Sequence, residues 1–160
     1  MIDEEIFTRR ILILDGAMGT MIQHYASGGE IKTDGNNDRL NLTCPEIIAS
    51  IHREYADAGA DILETNTFGA NRISQLEYGC PELAASMSRE GARIAREVAD
   101  EAARSSGRRI LVAGSMGPTG KSLTLAQDPD RPDARSFSFD DFVQAYAEQA
   151  EALASGGVDL

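Results

Sequence analysis

The amino-acid sequence predicts an α/β protein built on a parallel sheet, and its loops favour a (β/α)8 barrel over an open sheet. Apolar segments at 11–14, 61–65 and 108–114 are predicted strands, each followed by a helical segment. Strict alternation of strands and helices is typical of parallel sheets. Long polar loops are predicted at 26–40 and 115–136, and long loops at strand exits are typical of barrels whose loops carry the function.

The first elements follow from local patterns. Four branched aliphatic residues at 11–14, bounded by charge and glycine, predict a strand that is buried on both faces. A helix is predicted at 21–25, after a glycine-rich turn. A second helix is predicted at 45–58, because residues 43–46 have the form of a capping box with proline in the first turn and Gly59 can end the helix.

The later elements continue the alternation. A long helix rich in alanine and arginine is predicted at 82–104, with one apolar stripe. Another helix is predicted to start at Ser138 and to end at the glycines 156–157. A fourth strand is predicted to begin at 158–160.

The predicted barrel is incomplete within 160 residues. Residues 58–63 and 156–160 share one pattern, in which glycine ends a helix and a small residue, aspartate and an aliphatic residue begin a strand. Three βα units and the start of a fourth strand are less than half of a barrel of about 250 residues. We therefore expect residues 1–160 to be the amino-terminal part of one (β/α)8 domain, truncated in the fourth strand.

Charge and composition limit the classes of partner. The chain has 15 Lys and Arg against 26 Asp and Glu, a formal net charge of −11. Nucleic-acid and membrane-surface partners are not expected, because both require a cationic face. The sequence has no apolar stretch of the roughly 20 residues that span a membrane, its start is not a signal peptide, and its two cysteines fit a reducing compartment. We expect a cytoplasmic protein.

Carboxylates follow the first two predicted strands. Asp15 comes directly after 11–14, and Glu64 lies near the end of 61–65. Parallel strands place their carboxyl ends at one edge of the sheet, where ligands bind. Each acid could instead be a surface carboxylate or the cap of a tight turn. The candidate binding residues are Asp15, Gly16, Ala17, Met18, Gly19, Thr20, Glu64, Thr65, Asn66 and Thr67.

Two other kinds of site are weaker candidates. The segment that ends in Gly120-Lys121-Ser122 resembles a phosphate-binding loop, but Gly114 and Gly120 are separated by five residues where that loop has four. Possible zinc ligands do not pair at the spacing of a structural site, and we expect His52 at the surface or rim and both cysteines at helix starts. No metal site is predicted within the chain; the residues considered are His24, Cys44, His52 and Cys80.

Several motifs match one family in register over nearly the whole chain. They are residues 14–23, 35–38, 40–43, 45–46, 58–68, 113–114 and 117–119. Together they resemble the homocysteine S-methyltransferase family, in particular the domain at the start of cobalamin-dependent methionine synthases. The Asn-Asn-Asp segment at 36–38 favours that group over relatives that use betaine or S-methylmethionine as methyl donor.

The resemblance implies a (β/α)8 barrel that binds homocysteine, activates its thiol on zinc and converts it to methionine with a methyl group from methylcobalamin and methyltetrahydrofolate. Asp15 would accept the substrate ammonium, and the amides of 16–20 would hold the substrate carboxylate. Residues 64–67 would line the same pocket. Zinc is needed because a free thiol, with a pKa of about 8.5, is mostly protonated at neutral pH.

The same resemblance places much of the machinery elsewhere. The zinc cysteines, a second acid for the substrate amine and the folate, cobalamin and activation modules are expected beyond Leu160. We therefore expect residues 1–160 to hold part of the homocysteine pocket, to bind no cofactor and to be inactive alone. A nucleotide-binding module that uses Lys121, and an independent binding protein with two exposed sheet edges, remain the alternatives.

Overall fold

The structure, a computed structural model, describes residues 6–29, 31–124, 130 and 135–160 and has an α/β fold. The helices are α1 (Ile6–Arg9), α2 (Met18–Ser27), α3 (Leu40–Thr43), α4 (Pro45–Ala58), α5 (Arg72–Gln75), α6 (Ala84–Ser106) and α7 (Phe139–Gly156). Turns of 3-10 helix lie at Leu76–Tyr78 and Pro81–Leu83, and the strands are β1 (Ile62–Glu64) and β2 (Leu111–Ala113). Parts of both long predicted loops, residue 30 and residues 125–129 and 131–134, lie outside the described residues. None of the described helices is both long and apolar enough to cross a membrane.

Four parallel segments lie side by side, with β1 and β2 at the centre. The two strands pair in register, with Leu63 opposite Val112. The segment 11–14 runs along β1, where Leu14 forms a parallel bridge with Ile62. The segment 158–160 runs along β2 through backbone hydrogen bonds with Val112 and Gly114. The predicted α/β class and parallel pairing are confirmed.

The two outer segments meet the central strands through the same contacts. The Asp61 amide donates to the Ile13 carbonyl, and the Asp159 amide donates to the Val112 carbonyl, both at 2.8 Å. In return the Ile13 amide donates to the Asp61 carboxylate at 3.0 Å, and the Val112 amide donates to the Asp159 carboxylate at 2.9 Å. The repeated pattern of glycine and aspartate in the sequence therefore marks equivalent positions in the sheet.

The core lies between the sheet and the helices that cover it. One buried cluster joins the two strands to α6 and includes Leu63, Val112, Ala95, Val98 and Ala99. A second cluster joins α2, α3 and α4 and includes Ile22, Leu40, Ile48 and Ile51. The helices α4 and α6 thus pack against one side of the sheet.

The first segment differs from its prediction. Ile11 is 89% exposed, Ile13 60% and Leu14 50%, so the expected strand buried on both faces is wrong. Within 11–14 only Leu14 forms a ladder bridge. The physical reason is position: the segment lies at the margin of the described sheet, where β1 pairs with it on one side only.

Two local predictions around α4 are also wrong. Thr43 ends α3 and donates its hydroxyl to the Arg39 carbonyl, so the predicted capping box is absent and α4 begins after Cys44 without a side-chain cap. Proline at the first position of α4 lowers the need for a cap, because it has no amide hydrogen to satisfy. His52 is fully buried, not at the rim, because α4 packs against both α2 and α6. Burial lowers the pKa of His52 to about 4.

Candidate functional site

A cleft of about 720 Å³ opens at the carboxyl ends of the parallel segments. Its walls are the loops that follow the first segment, β1 and β2, together with part of the long loop before α3. All predicted site residues except Thr20 line the cleft: Asp15, Gly16, Ala17, Met18, Gly19, Glu64, Thr65, Asn66 and Thr67. Thr20 lies exposed in the first turn of α2.

Asp15 links the first segment to β1. Both of its carboxylate oxygens accept the Glu64 amide, at 3.1 Å each. Burial raises the pKa of Asp15 to about 7, and the nearby charge of Glu64 adds to the rise. A cation that enters the cleft would relieve this cost, because an opposite charge favours the ionised carboxylate.

The N-terminus of α2 lies beside Asp15. Ala17 precedes the helix and makes no side-chain cap hydrogen bond. The first amides of a helix have no intrahelical acceptor and carry partial positive charge, so they suit an anionic group. Since Gly16 to Gly19 line the cleft, a cation-binding carboxylate and anion-binding amides lie on the same wall.

Glu64 is held by the loop after β2. Ser115 Oγ donates to Glu64 Oε1 at 2.6 Å, and the Ser115 amide donates to Thr65 Oγ1 at 2.9 Å. Ser115 also lines the cleft, but it is not among the residues predicted from the sequence. The only sequence signal was its place at the exit of the third predicted strand.

Asp38 is a third acid that sequence reasoning missed. It lines the cleft and accepts the Gly69 amide at 3.0 Å. Burial raises the pKa of Asp38 to about 6. A signal was present in the sequence, since Asp38 belongs to the Asn-Asn-Asp motif of a long polar loop, and such loops are usually functional.

A pair of buried amides joins α3 to the exit of β1. Asn41 Nδ2 donates to the Asn66 carbonyl at 2.7 Å, and Asn66 Nδ2 donates to Asn41 Oδ1 at 3.1 Å. A Cβ on Gly91 of α6 would lie 2.6 Å from Asn41 Nδ2 and from Thr67 Cγ2. This contact explains a glycine within a helix, where glycine normally costs about 1 kcal/mol relative to alanine.

The charge of the cleft is negative. Within the described ranges no Lys or Arg forms a salt bridge with Asp15, Asp38 or Glu64. Glu77 also lines the cleft, and it pairs with Lys121 at 2.8 Å. The arrangement favours a small ligand that carries a cationic group, with the α2 amides as the place for an anionic group.

The described residues do not fit a metal ion. In the part of the chain that the structure describes, no three His, Cys, Asp or Glu side chains converge on a metal-sized site. Cys44 and Cys80 are free thiols on different elements. The structure also lacks the phosphate-binding context of Lys121, because residues 121–124 are not helical.

Fold and site together define an α/β protein with a ligand cleft at the carboxyl ends of parallel strands. The sequence model of the family described as Homocysteine S-methyltransferase matches residues 12–160, and the chain belongs to that family.

Solved structures of one similar protein match nearly the whole of this chain. The homocysteine methyltransferase MmuM from Escherichia coli matches in its oxidized form with a TM-score of 0.76 and 25% identity, over 98% of this chain and 54% of that one. Its metallated form matches with a TM-score of 0.74 and 25% identity, over 97% and 54%. The chain therefore spans about half the length of the solved structures that it matches.

Proposed function

We propose that the protein takes part in methyl transfer to the thiol of homocysteine, which yields methionine, and that the cleft holds the amino-acid part of this substrate. The observation that carries the proposal is the pairing of Asp15, an acid without a cationic partner among the described residues, with the uncapped N-terminus of α2. An α-amino acid presents an ammonium and a carboxylate on one carbon. The cleft offers a complementary group for each.

In this proposal, ionised Asp15 accepts the substrate ammonium and Glu64 adds a second negative charge beside it. The backbone amides of 16–20 hold the substrate carboxylate. Thr20 takes part through its backbone amide in the first turn of α2, and its side chain does not line the cleft. Thr65, Asn66 and Thr67 form the adjoining wall. Because the raised pKa of Asp15 is about 7, affinity for homocysteine should rise as the pH rises through neutrality.

We further propose that residues 1–160 are the amino-terminal part of a (β/α)8 domain. The match to about half of MmuM supports this. Since the described residues do not fit a metal, we propose that zinc is held by cysteines outside this chain segment, where it would lower the pKa of the substrate thiol. Methylcobalamin and methyltetrahydrofolate, on modules of the same parent chain, are the proposed methyl source; betaine and S-methylmethionine are the alternative donors.

The test is a calorimetric titration of the intact protein with L-homocysteine. Asp15→Asn removes the negative charge and keeps the shape, and we expect affinity to fall about 100-fold or more, about 2.7 kcal/mol. The matched control is Asp57→Asn, on the exposed face of α4, which should bind as the unsubstituted protein does. 4-Sulfanylbutanoate, which lacks the amino group, should bind weakly and be indifferent to Asp15→Asn. Equal homocysteine affinity in both variants would contradict the proposal.

A further inference from the structure

A ring of hydrogen bonds lies in the wall of the cleft and joins the loops after β1 and β2. The Ser115 amide donates to Thr65 Oγ1 at 2.9 Å, and Thr67 Oγ1 donates to the Ser115 carbonyl at 2.8 Å. The two threonine hydroxyls lie 2.6 Å apart. All three residues are buried although they line the cleft, and hydrogen bonds shielded from water are stronger than exposed ones.

Ser115 connects the ring to the ligand side of the cleft. Its amide and carbonyl are both fixed by the ring, and its hydroxyl donates to Glu64 Oε1 at 2.6 Å. The position of the Ser115 backbone therefore determines where the Glu64 carboxylate is held relative to Asp15.

Gln149 of α7 contacts two members of the ring, Thr67 and Ser115, from outside the cleft. Its Nε2 donates to the Thr67 carbonyl at 2.8 Å and approaches the Ser115 carbonyl at 3.4 Å. Gln149 is 1% exposed and does not line the cleft. Because both neighbours are acceptors, only the nitrogen of the amide fits there. Each carbonyl also accepts a second donor, Thr67 Oγ1 for Ser115 and the Ala70 amide for Thr67. The Gln149 amide therefore adds a bond that links the two carbonyls, while its own Oε1 is buried without a partner among the described residues.

We propose that Gln149 is a positioning residue of the homocysteine site: it holds the carbonyls of Thr67 and Ser115 together and thereby keeps Ser115 Oγ on Glu64. The inference rests on the proposed function, because it assigns Glu64 to the substrate ammonium. Without the Gln149 amide, the loop after β2 loses one of its ties to the loop after β1, and Ser115 Oγ is held less firmly against Glu64.

The first test uses Gln149→Met in the intact protein, since methionine keeps the length of the side chain and removes both donors. Affinity for L-homocysteine should fall roughly fivefold to tenfold, about 1 to 1.4 kcal/mol. Affinity for 4-sulfanylbutanoate should be unchanged, because that analogue has no ammonium to place against Glu64. The matched control is Gln144→Met on the exposed face of α7, which should bind both ligands normally. A similar loss for both ligands would show general loosening and overturn the proposal.

The second test is a double-mutant cycle with Ser115→Ala. If Gln149 acts through Ser115, the double variant should lose no more homocysteine affinity than Ser115→Ala alone. Additive losses, or full affinity in Ser115→Ala, would overturn the proposal; the latter result decides the matter even if Gln149→Met fails to fold. Failure of the proposed function has a different signature, since the unsubstituted protein would then not distinguish homocysteine from the analogue.

Discussion

The two ends of the parallel segments use aspartate in opposite ways. At the amino ends, Asp61 lies between Arg10 and Arg108 at 2.9 and 3.4 Å. Asp159 likewise pairs with arginines, at 2.7 and 3.7 Å. At the carboxyl ends, the Asp15 carboxylate accepts the backbone amide of Glu64 and contacts no arginine or lysine of the described residues. The acids at the amino ends are neutralised by arginines, while Asp15 at the carboxyl ends has no cationic partner among the described residues.

The pKa values of Asp61 and Asp15 shift in opposite directions because their surroundings differ. The hydrogen bond from Arg10 is the main cause that lowers the pKa of Asp61, whereas burial raises the pKa of Asp15 to about 7. The charged form of Asp61 therefore stabilises the fold, and the charged form of Asp15 destabilises it. Groups that cost stability in the free protein are candidates for binding, since a ligand can supply the missing partner.

The largest expected effect on the free energy of unfolding comes from a substitution at the amino ends of the segments. Asp61→Ala would leave the Ile13 amide and Arg10 without their acceptor. It would also remove one of the acceptors of Arg108, which keeps its hydrogen bonds to backbone carbonyls. We expect the free energy of unfolding to fall by about 2–3 kcal/mol, less than for a fully buried pair because both arginines are partly exposed. Urea unfolding measures the change, with Asp57→Ala as the exposed control. A loss no greater than that of the control would remove the contrast between the two ends.

At the carboxyl ends, we expect a substitution of Asp15 to raise the free energy of unfolding, by a smaller amount. The folded pKa of Asp15 is about 7 against an ordinary value of 3.8, so its contribution to stability is present at low pH and is lost as the pH rises through neutrality. Asp15→Asn should therefore match the unsubstituted protein near pH 4 and exceed its unfolding free energy by about 1 kcal/mol near pH 8, after a discount for partial exposure. A variant that is less stable at the higher pH would contradict this account.

The smallest effect is expected at the rim. Lys121 and Glu77 form a solvent-facing pair, so Lys121→Ala should change the unfolding free energy by less than about 0.5 kcal/mol. The same variant tests the nucleotide alternative. Neither it nor the unsubstituted protein should bind a fluorescent ATP analogue; binding that disappears in Lys121→Ala would support a phosphate site instead.

The part of the site that the sequence could predict is local. Asp15 and Glu64 were identified because each ends an apolar segment, and strand exits in parallel sheets share one edge. Ser115, Asp38 and Gln149 depend on contacts across the chain: their partners lie 51, 31 and 82 residues away. Spacing rules for helices and strands relate residues a few positions apart and do not predict contacts at these sequence separations.

Burial was predicted less well than position. Helical spacing placed polar His52 at the rim, but α4 is covered by helices on two sides. In α7, the apolar residue Val143 is 50% exposed, while Gln149 is buried. In both helices tertiary packing overrides the local pattern, because what covers a helix face is decided by elements far along the chain.

The aspartates near the segment starts also show how neighbouring segments are staggered in the sheet. Ile110 precedes Leu111, the register partner of Ile62, so it occupies in β2 the place that Asp61 has before β1. Asp159 instead lies opposite Val112, because Leu160 forms the parallel hydrogen bonds with Val112 and Gly114. The two aspartates are therefore offset by two residues along the sheet. Each aspartate fixes the stagger between one segment and its neighbour, so inserting a single residue next to either one would move its carboxylate away from the amide and the arginines that it contacts.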